Sequence, residues 1–542
     1  MRLNVLAASV AAFAFATTSA AQTPADVASA ARVKAHVEFL ASDLLQGREA
    51  GSPGYDIAAN YVAAQFALLG LKPAGEAGTW FQTVPLIAFR PADEGSYVVR
   101  GPDGTTAPLV FGEEVLTGRG GGPSDIQVSA PLVFAGYGVV APERGRDDYA
   151  GLDLKGKIAV VLSGGPPGLQ TEERAYYASA RTKREAAARA GAVGVIFLST
   201  PKDEQRRPFA AGKRSWRSWS MTWRRPDGAP FDVAAGTPGL GAVSVKGAET
   251  LFAGAPHTPA EVFAAAEAGG DPPRFPLVTA MDVNLRTESN VVESRNVAGL
   301  IEGSDPKVKN EVVVLSAHLD HIGTTPPVEG DTINNGALDN AGGIATTLEV
   351  ARAFQAGKRP RRSVLFLAVT AEEKGLLGAE YFARNPTVPG PLVANVNLDM
   401  PVLTYDFTDV VAFGSERSGI AAAVRRAAAR TGIALSPDPL PDEGLFTRSD
   451  HYRFVEVGVP STFLMTGFQN GGEEKFRAFL KDCYHKPCDD LDQGIDYAAG
   501  AKFARINYEI ARELADAGAR PLWVKDDFFG TRFAPAQSIA DD

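Results

Sequence analysis

The sequence predicts an α/β protein built around a mostly parallel mixed sheet with helices on both faces. From about residue 296, short apolar runs alternate with helical patterns over roughly 220 residues, which is typical of parallel sheets. The 542 residues are 45% hydrophobic and 22% charged, which is ordinary for a globular protein and argues against disorder. At roughly 100–200 residues per domain, the length allows two to four domains.

The alternating region contains the predicted strands and helices of this sheet. Apolar runs predict strands at 312–315, 364–369, 393–398 and 462–465. Helical patterns predict helices at 344–354, 375–382, 419–430 and 497–515. Helices that connect parallel strands cover the two faces of the sheet.

Two regions with different sequence patterns precede this alternating region. Residues 26–69 predict two helices joined by a glycine-rich loop, and the first helix has an apolar face made of Val33, Val37, Leu40 and Leu44. Further along, β-rich runs and one helical stretch follow at 97–99, 131–134, 158–162, 182–190 and 193–198. The sequence therefore predicts a β-rich unit ahead of the alternating region.

Residues 1–21 predict a secretory signal peptide. They contain one cation, Arg2, then an apolar stretch at 6–16, and small residues up to Ala21. The apolar stretch is about half of the roughly 20 residues that a membrane span needs. We expect export to the periplasm or the medium, and no stable membrane insertion after the segment is removed.

The charge balance argues against a nucleic-acid-binding protein. The chain has 54 Lys+Arg and 64 Asp+Glu, a formal net charge of −10, whereas nonspecific nucleic-acid affinity comes from an excess of cations. One segment, 213–225, interleaves cations with three tryptophans, as nucleic-acid patches do. In an acidic exported protein, a flap or a wall beside a substrate is the favoured interpretation of this segment.

Ionisable residues follow three predicted strands, and one more lies at a helix start. His318, the pair Glu372 and Glu373, and Asp399 come just after strands, and Asp339 lies in a loop that opens a helix. Ligands of open α/β sheets collect at these strand ends. Converging buried carboxylates cost several kcal/mol each unless cations compensate them, so we predict divalent metal. Nitrogen and oxygen donors favour zinc, with cobalt or manganese as alternatives.

Single residues of this set have simpler interpretations. Asp339 taken alone could be a helix cap. In the pair, Glu372 and Glu373 point in different directions, so one can bind metal while the other stays free as a general base.

The two cysteines are too few for a disulfide scaffold or for a four-cysteine zinc site.

Together these motifs resemble the M28 family of co-catalytic zinc aminopeptidases. The matching motifs are His318-Leu319-Asp320, Gly336 to Gly343, Glu372-Glu373, Asn397-Leu398-Asp399 and Tyr484-His485. The β-rich middle resembles a protease-associated domain inserted into a zinc exopeptidase fold. After the predicted signal peptide at 1–21, the resemblance implies peptidase segments at 22–120 and 276–525, with the inserted domain at 121–275. A tail is expected at 526–542.

The resemblance implies a role for each site residue and two Zn²⁺ ions per chain. The implied metal ligands are His318, Asp339 as the bridge, Glu373, Asp399 and His485. Asp320 would orient His318 by accepting a hydrogen bond from its imidazole without binding metal itself, as carboxylates do in many zinc sites. Glu372 would be the general base, and Tyr484 would hydrogen-bond the oxyanion. The segment 324–334 lengthens the spacing from His318 to Asp339 and is expected to form a lip of the site.

The cysteines and the remaining histidines lie outside the five implied ligands or beside them, and each has its own interpretation. In an oxidising compartment, Cys483 and Cys488 would form a small disulfide loop around His485, with thiolate ligation as the rival. Ser449-Asp450-His451 contains the residue types of a serine triad, but adjacent residues cannot form its relay. His451 and Arg448 are candidate substrate contacts, and His451 could instead cap local backbone. The other three, His36, His257 and His321, are expected to be structural, exposed or outside the ligand set.

The sequence thus predicts an exported dinuclear zinc exopeptidase that acts on peptide substrates, most simply an aminopeptidase. A carboxypeptidase acting on acylated dipeptides is the first alternative, because Arg448 and Arg453 could bind a terminal carboxylate. A receptor-like binding protein on the same fold is the second, although the ligand set is complete. A one-zinc glutaminyl cyclase fits the five ligands less well.

Overall fold

The computed structural model describes residues 27–118 and 122–537. The predicted signal peptide at 1–21 lies outside these residues. The described chain forms two large sheets, one of ten strands and one of eight. The predicted α/β class, with a β-rich unit interrupting the main sheet, is confirmed.

The ten-stranded sheet carries the strand ends singled out in the sequence. From edge to edge its strands are Ser220–Trp223, Phe81–Pro91, Thr287–Ile301, Ser363–Val369, Val312–His318, Leu392–Leu398, Ser461–Thr466, Asp409–Phe413 and Ala434–Leu435, and Lys72–Pro73 pairs beside the third. The four central strands from Ser363–Val369 to Ser461–Thr466 are parallel to one another. The pairs that flank these four are antiparallel. Parallel pairing therefore holds where the predicted site lies.

Helices cover both faces of this sheet. Alternate residues of Val312–His318 face opposite sides: Val313 packs with helices Gly342–Ala356 and Tyr497–Asp516, and Val314 packs with Leu377–Arg384. The strands are buried on both faces, which explains their continuous apolar runs. The other helices of this region are Ala30–Leu40, Pro53–Leu68, Ile420–Thr431, His451–Val455, Gly472–Asp482 and Phe528–Phe533.

The eight-stranded sheet forms the β-rich unit. Its strands, in spatial order, are Thr106–Pro108, Ser96–Arg100, Phe275–Leu285, Ile126–Phe134, Ile158–Leu162, Gly194–Leu198, Gly239–Val243 and Val115–Thr117. Helices pack around it at Thr171–Ala178, Ala180–Arg189, Pro201–Arg206, Val245–Leu251 and Pro259–Glu267. Both interfaces between these strands and their helices are apolar. One forms a separate core, and the other is continuous with the core of the ten-stranded sheet.

The segment 213–225 joins the two sheets. Its strand Ser220–Trp223 pairs antiparallel with Phe81–Pro91 at the edge of the ten-stranded sheet. Trp223 stacks on Phe231 with ring centroids 4.1 Å apart and is buried, and Arg90 lies 4.3 Å above the Trp219 ring. Trp219 and Trp223 are thus engaged in packing within the protein.

The N-terminal helices form as predicted, apart from one residue. The first helix, Ala30–Leu40, buries Val33, Val37 and Leu40, but it ends there. Leu44 was predicted on the same face and is 83% exposed, so this prediction was wrong. The chain leaves the α-helix for the turn Asp43–Arg48, where Gln46 and Gly47 have positive φ, and the helical periodicity no longer applies.

The predicted lip 324–334 is a two-stranded hairpin. Strands Gly323–Val328 and Asp331–Asn334 pair antiparallel, and the hairpin base rests on the turn that contains Gly47. A Cβ on Gly47 would lie 2.5 Å from the Asn334 carbonyl oxygen, so only glycine permits this approach.

Among the described residues, no helix is both long enough and apolar enough to cross a membrane.

Candidate metal centre

Three adjacent parallel strands deliver the candidate ligands to one edge of the sheet. His318 is the last residue of Val312–His318, and Asp399 directly follows Leu392–Leu398. The Glu372–Glu373 pair follows Ser363–Val369 by two residues. Because the strands run the same way, their ends meet at one crevice.

Asp339 reaches the same crevice from a loop. The loop turns at Gly336, which has φ 61°, and continues through Ala337–Ala341 into the helix Gly342–Ala356. A Cβ on Gly336 would lie 2.3 Å from the Asp339 carbonyl oxygen, so the turn requires glycine. The tight turn therefore brings the Asp339 carboxylate between the strand ends.

The side chains form two groups that share Asp339. In the first group, His318 Nε2 lies 3.1 Å from Asp339 Oδ1 and 2.9 Å from Asp399 Oδ1. In the second, His485 Nε2 lies 3.4 Å from Asp339 Oδ2 and 3.2 Å from Glu373 Oε2. The structure thus brings together all five residues predicted as ligands.

His321 adds a second imidazole to the second group. It is fully buried, and its Nδ1 lies 2.7 Å from Glu373 Oε1. Candidate donor atoms of His321, Asp339 and Glu373 lie within 4.8 Å of one another, as do those of His318, Asp339 and Asp399. Neither ring nitrogen of His321 has a hydrogen-bond partner of good geometry in the described structure. These donor sets of imidazole nitrogen and carboxylate oxygen fit divalent zinc.

The electrostatics of the centre also suit a cation. Burial would raise the pKa of Asp339, but hydrogen bonds from His318 and His485 hold it well below its usual range. Burial would lower the pKa of His318, but the Asp399 and Glu372 carboxylates outweigh it and raise this pKa well above its usual range. The converging carboxylates therefore need a compensating positive charge, which a divalent cation would supply.

Glu372 differs from its neighbour. Burial raises the pKa of the Glu372 carboxyl well above its usual range, and the charge of Glu373 adds to this shift. Its backbone N–H donates to Asp320 Oδ1 at 3.1 Å. Glu372 is thus a carboxyl with elevated proton affinity, held at the edge of the ligand cluster.

Asp320 contacts His318 differently from the predicted arrangement. His318 Nδ1 lies 3.0 Å from the backbone oxygen of Asp320. The Asp320 carboxylate instead accepts the backbone N–H groups of Glu372 and Glu373. The backbone carbonyl orients the imidazole, and the carboxylate holds the glutamate pair.

The segment after helix Gly472–Asp482 carries the last candidate residues. A disulfide joins Cys483 and Cys488, with Cα atoms 5.1 Å apart. Within this loop Tyr484 stacks on His485 with ring centroids 3.8 Å apart. Burial raises the pKa of Tyr484 above its usual range, and the carboxylate of Asp339 adds to the shift. The Tyr484 hydroxyl therefore stays protonated, as a hydrogen-bond donor must.

The two candidate substrate contacts lie in different surroundings. His451 is fully buried between Phe446 and Phe463, with centroids 5.1 and 5.4 Å away, and burial lowers its pKa to about 3. Arg448 is half exposed, and its charge acts on Tyr484. The described structure thus places Arg448 at an accessible position near the centre and gives His451 no exposed surface.

One contact to the centre was not found in the sequence. Ser449 Oγ donates a hydrogen bond to Asp399 Oδ2 and accepts one from Asn397 Nδ2 at 2.7 Å. Ser449 begins the Ser449-Asp450-His451 segment, and Asn397 lies two residues before Asp399. Composition and spacing carry no signal for this pairing, because it joins a loop to a strand end 50 residues away.

Comparison with known proteins agrees with this geometry. Residues 296–511 match the model of peptidase family M28, and residues 128–219 match that of the PA domain. The chain contains an M28 peptidase domain. The predicted resemblance to M28 with an inserted protease-associated domain is thereby confirmed.

Individual relatives cover this chain in part. Leupeptin-inactivating enzyme 1 of Streptomyces exfoliatus is 29% identical over 44% of this chain and 49% of its own length. Probable leucine aminopeptidase 2 of Aspergillus fumigatus is 31% identical over 34% of this chain and 36% of its own length. The chain spans about half the length or less of these curated relatives.

A solved structure shows the same fold over nearly the whole of this chain. The aminopeptidase from Aneurinibacillus sp. strain AM-1 has a TM-score of 0.52 and 21% identity to it. The superposition covers 92% of this chain and 96% of that one. The residues outside the PA domain match at 128–219 make up less than 92% of this chain, so the shared fold extends into the PA domain region.

Proposed function

We propose that this protein is an exported dinuclear zinc aminopeptidase that releases N-terminal residues from peptides. The observation that carries the proposal is the Asp339 carboxylate, whose two oxygens face different imidazoles, those of His318 and His485. A carboxylate shared in this way is suited to bridging two cations. The names of the relatives, leucine aminopeptidase among them, support the same activity.

Each side chain of the centre has a proposed task. His318 and Asp399 would hold one zinc, Glu373 and His485 the other, and Asp339 both. Bound zinc supplies Lewis acidity for the scissile carbonyl and lowers the pKa of water. His321 is close enough to Glu373 to fix the orientation of that carboxylate.

Glu372 is the proposed general base. Its carboxylate takes a proton from the attacking water and passes it to the leaving amine. Its raised pKa brings it closer to that of the groups with which it exchanges protons. The protonated hydroxyl of Tyr484 donates a hydrogen bond to the oxyanion of the tetrahedral intermediate.

The direction of cleavage is tested with one substrate pair. An aminoacyl anilide with a free amine should be hydrolysed, and its N-acetylated form should not. A chelator should abolish the hydrolysis, and added Zn²⁺ should restore it. Hydrolysis of only the acetylated form, or resistance to the chelator, would contradict the proposal.

The alternative is a carboxypeptidase that acts on acylated dipeptides. Arg448 favours it, because its half-exposed guanidinium near Tyr484, whose Nη1 lies 3.5 Å from Glu443 Oε2, could bind a terminal carboxylate in exchange. Arg453 does not add to this argument, since its guanidinium already binds Glu456 at 2.7 Å and the Gly375 carbonyl oxygen at 3.0 Å. Release of the C-terminal residue from an acylated dipeptide would establish this alternative.

The proposal also includes location and domain division. A disulfide between Cys483 and Cys488 is suited to an oxidising compartment such as the periplasm or the medium. The eight-stranded sheet includes strands at 96–117 and 275–285, so the proposed inserted domain extends beyond the predicted 121–275 into the predicted peptidase segments 22–120 and 276–525. Limited proteolysis with mass analysis of the fragments tests these boundaries.

A further inference from the structure

Asp489 binds three successive amides of the loop that carries Asp339. Its Oδ1 accepts the Leu338 N–H at 2.9 Å, and its Oδ2 accepts the Asp339 N–H at 3.0 Å. Its backbone oxygen accepts the Ala337 N–H, also at 3.0 Å. Asp489 is fully buried, where hydrogen bonds from amides to a carboxylate are strong.

Arg48 binds the carbonyl groups of the same loop. Its guanidinium donates to the backbone oxygens of Asn335 at 2.6 Å and Gly336 at 3.1 Å. It also donates to the backbone oxygens of Leu319, at 3.0 Å, and Leu40. Arg48 is 1% exposed, and such a buried cation is stable only when its donors are satisfied.

The two residues therefore hold one loop by opposite charges. The anion of Asp489 lies on the amide side of the loop, and the cation of Arg48 lies on its carbonyl side. Arg48 also reaches the residue between His318 and Asp320, so it ties the loop to the end of strand Val312–His318. The two residues are 441 positions apart in sequence, since 489 − 48 = 441.

We infer that Arg48 and Asp489 are positioning residues that fix loop 335–339, so that the Asp339 carboxylate faces both His318 and His485. The expected effect on zinc affinity rests on the proposed function, whereas the expected effect on the order of loop 335–339 is independent of it. Partners of this kind change metal affinity by about 10- to 100-fold when they are lost.

The first test is hydrogen exchange in the metal-free full chain. Asp489→Asn keeps the shape of the side chain but removes its charge and turns an NH₂ group toward one of the two amides. We expect faster exchange in the peptide that covers 335–341 than in the wild type. Asp409→Asn is the matched control, because Asp409 is equally buried and accepts the Gln469 N–H at 3.1 Å outside the centre.

The second test is zinc affinity, measured by competition with a chromophoric chelator. We expect Asp489→Asn to bind zinc about 10- to 100-fold more weakly, with wild-type circular dichroism. Arg48→Lys keeps the charge but not the forked donors, and it should weaken zinc binding in the same direction. The Asp409→Asn control should bind zinc as the wild type does.

Two outcomes would overturn the inference. Unchanged exchange at 335–341 in Asp489→Asn would show that the carboxylate does not order the loop. Faster exchange with unchanged zinc affinity would show that loop order does not position Asp339. If the wild type binds no zinc, the proposed function fails, and the exchange experiment still decides whether Asp489 orders the loop.

Discussion

The carboxylate of Asp320 accepts the backbone N–H of Glu372 at 3.1 Å. The same carboxylate accepts the N–H of Glu373, while the backbone oxygen of Asp320 contacts His318. One residue thus links the ends of two adjacent strands. The proposed base and two proposed ligands therefore keep a common orientation.

Glu372→Gln should retain zinc and lose turnover. The amide keeps the shape of the side chain but cannot accept a proton, so kcat on an aminoacyl anilide should fall by about 10²- to 10⁴-fold. The zinc content, measured by inductively coupled plasma mass spectrometry, should equal that of the wild type. Glu372→Asp, which keeps a carboxylate on a shorter chain, should retain more activity. Wild-type turnover in Glu372→Gln would exclude its role as the base.

Asp339→Asn and His485→Gln should differ in zinc content. Asp339 faces both groups, so its substitution should remove both ions from the purified protein. His485 belongs to one group, so His485→Gln should leave about one ion per chain. Equilibrium dialysis against buffered Zn²⁺ measures both. Two tightly held ions in Asp339→Asn would contradict a bridging role.

The disulfide should stabilise the segment that carries His485. His485 has φ 57°, a left-handed conformation that costs a non-glycine residue about 1–2 kcal/mol, and the Cys483–Cys488 link encloses it. The double variant Cys483→Ser, Cys488→Ser should lose about 2 kcal/mol of unfolding free energy in urea and bind the second zinc more weakly.

The redox state of the cysteines is checked by mass analysis. Protein produced in an oxidising compartment should contain no free thiol after alkylation. Two alkylated cysteines in fully active protein would show that the link is unnecessary.

The free energy of unfolding should decrease as the pH falls below 6.5, in part because of His36. Burial lowers the pKa of His36 from 6.5 to about 4, although Glu349 opposes the shift. Since the unfolded chain binds this proton more tightly, the contribution of His36 is complete above pH 6.5 and is lost as the pH falls toward 4. The full effect is about 3 kcal/mol.

His36→Phe tests this prediction by urea unfolding at pH 7 and pH 4.5. The variant should lose less unfolding free energy than the wild type between these two values, because it has no proton to bind. His257→Gln, at a site where the side chain is 44% exposed, is the control and should follow the wild type. An identical pH dependence in His36→Phe and the wild type would refute the assignment.

The strands and helices of the peptidase region followed closely from the sequence. The predicted strand at 364–369 is observed as Ser363–Val369, and the predicted helix at 344–354 as Gly342–Ala356. Buried parallel strands are continuous apolar runs, and their helices have strong periodicity, so local pattern is sufficient. Leu44 was misplaced because the helix ends where glycine and tight turns begin, which periodicity alone does not show.

The place of segment 213–225 could not be predicted from local pattern. Its strand pairs with Phe81–Pro91, more than 120 residues earlier, and this pairing decides that Trp223 is buried. The burial of His451 likewise depends on Phe463 in a strand and Phe446 in a loop. Such contacts depend on long-range packing rather than on neighbours in sequence.

The sequence by itself determined the fold class and which ionisable residues stand at strand ends, because both follow from short-range patterns of apolar and charged residues. The family resemblance implied Asp339 as the bridge, but only the tertiary structure shows that its two carboxylate oxygens face His318 and His485. It also decided that Arg48 and Asp489 hold the loop of Asp339 from two sides. Side-chain directions in loops are set by packing between segments hundreds of residues apart, and no local pattern encodes them.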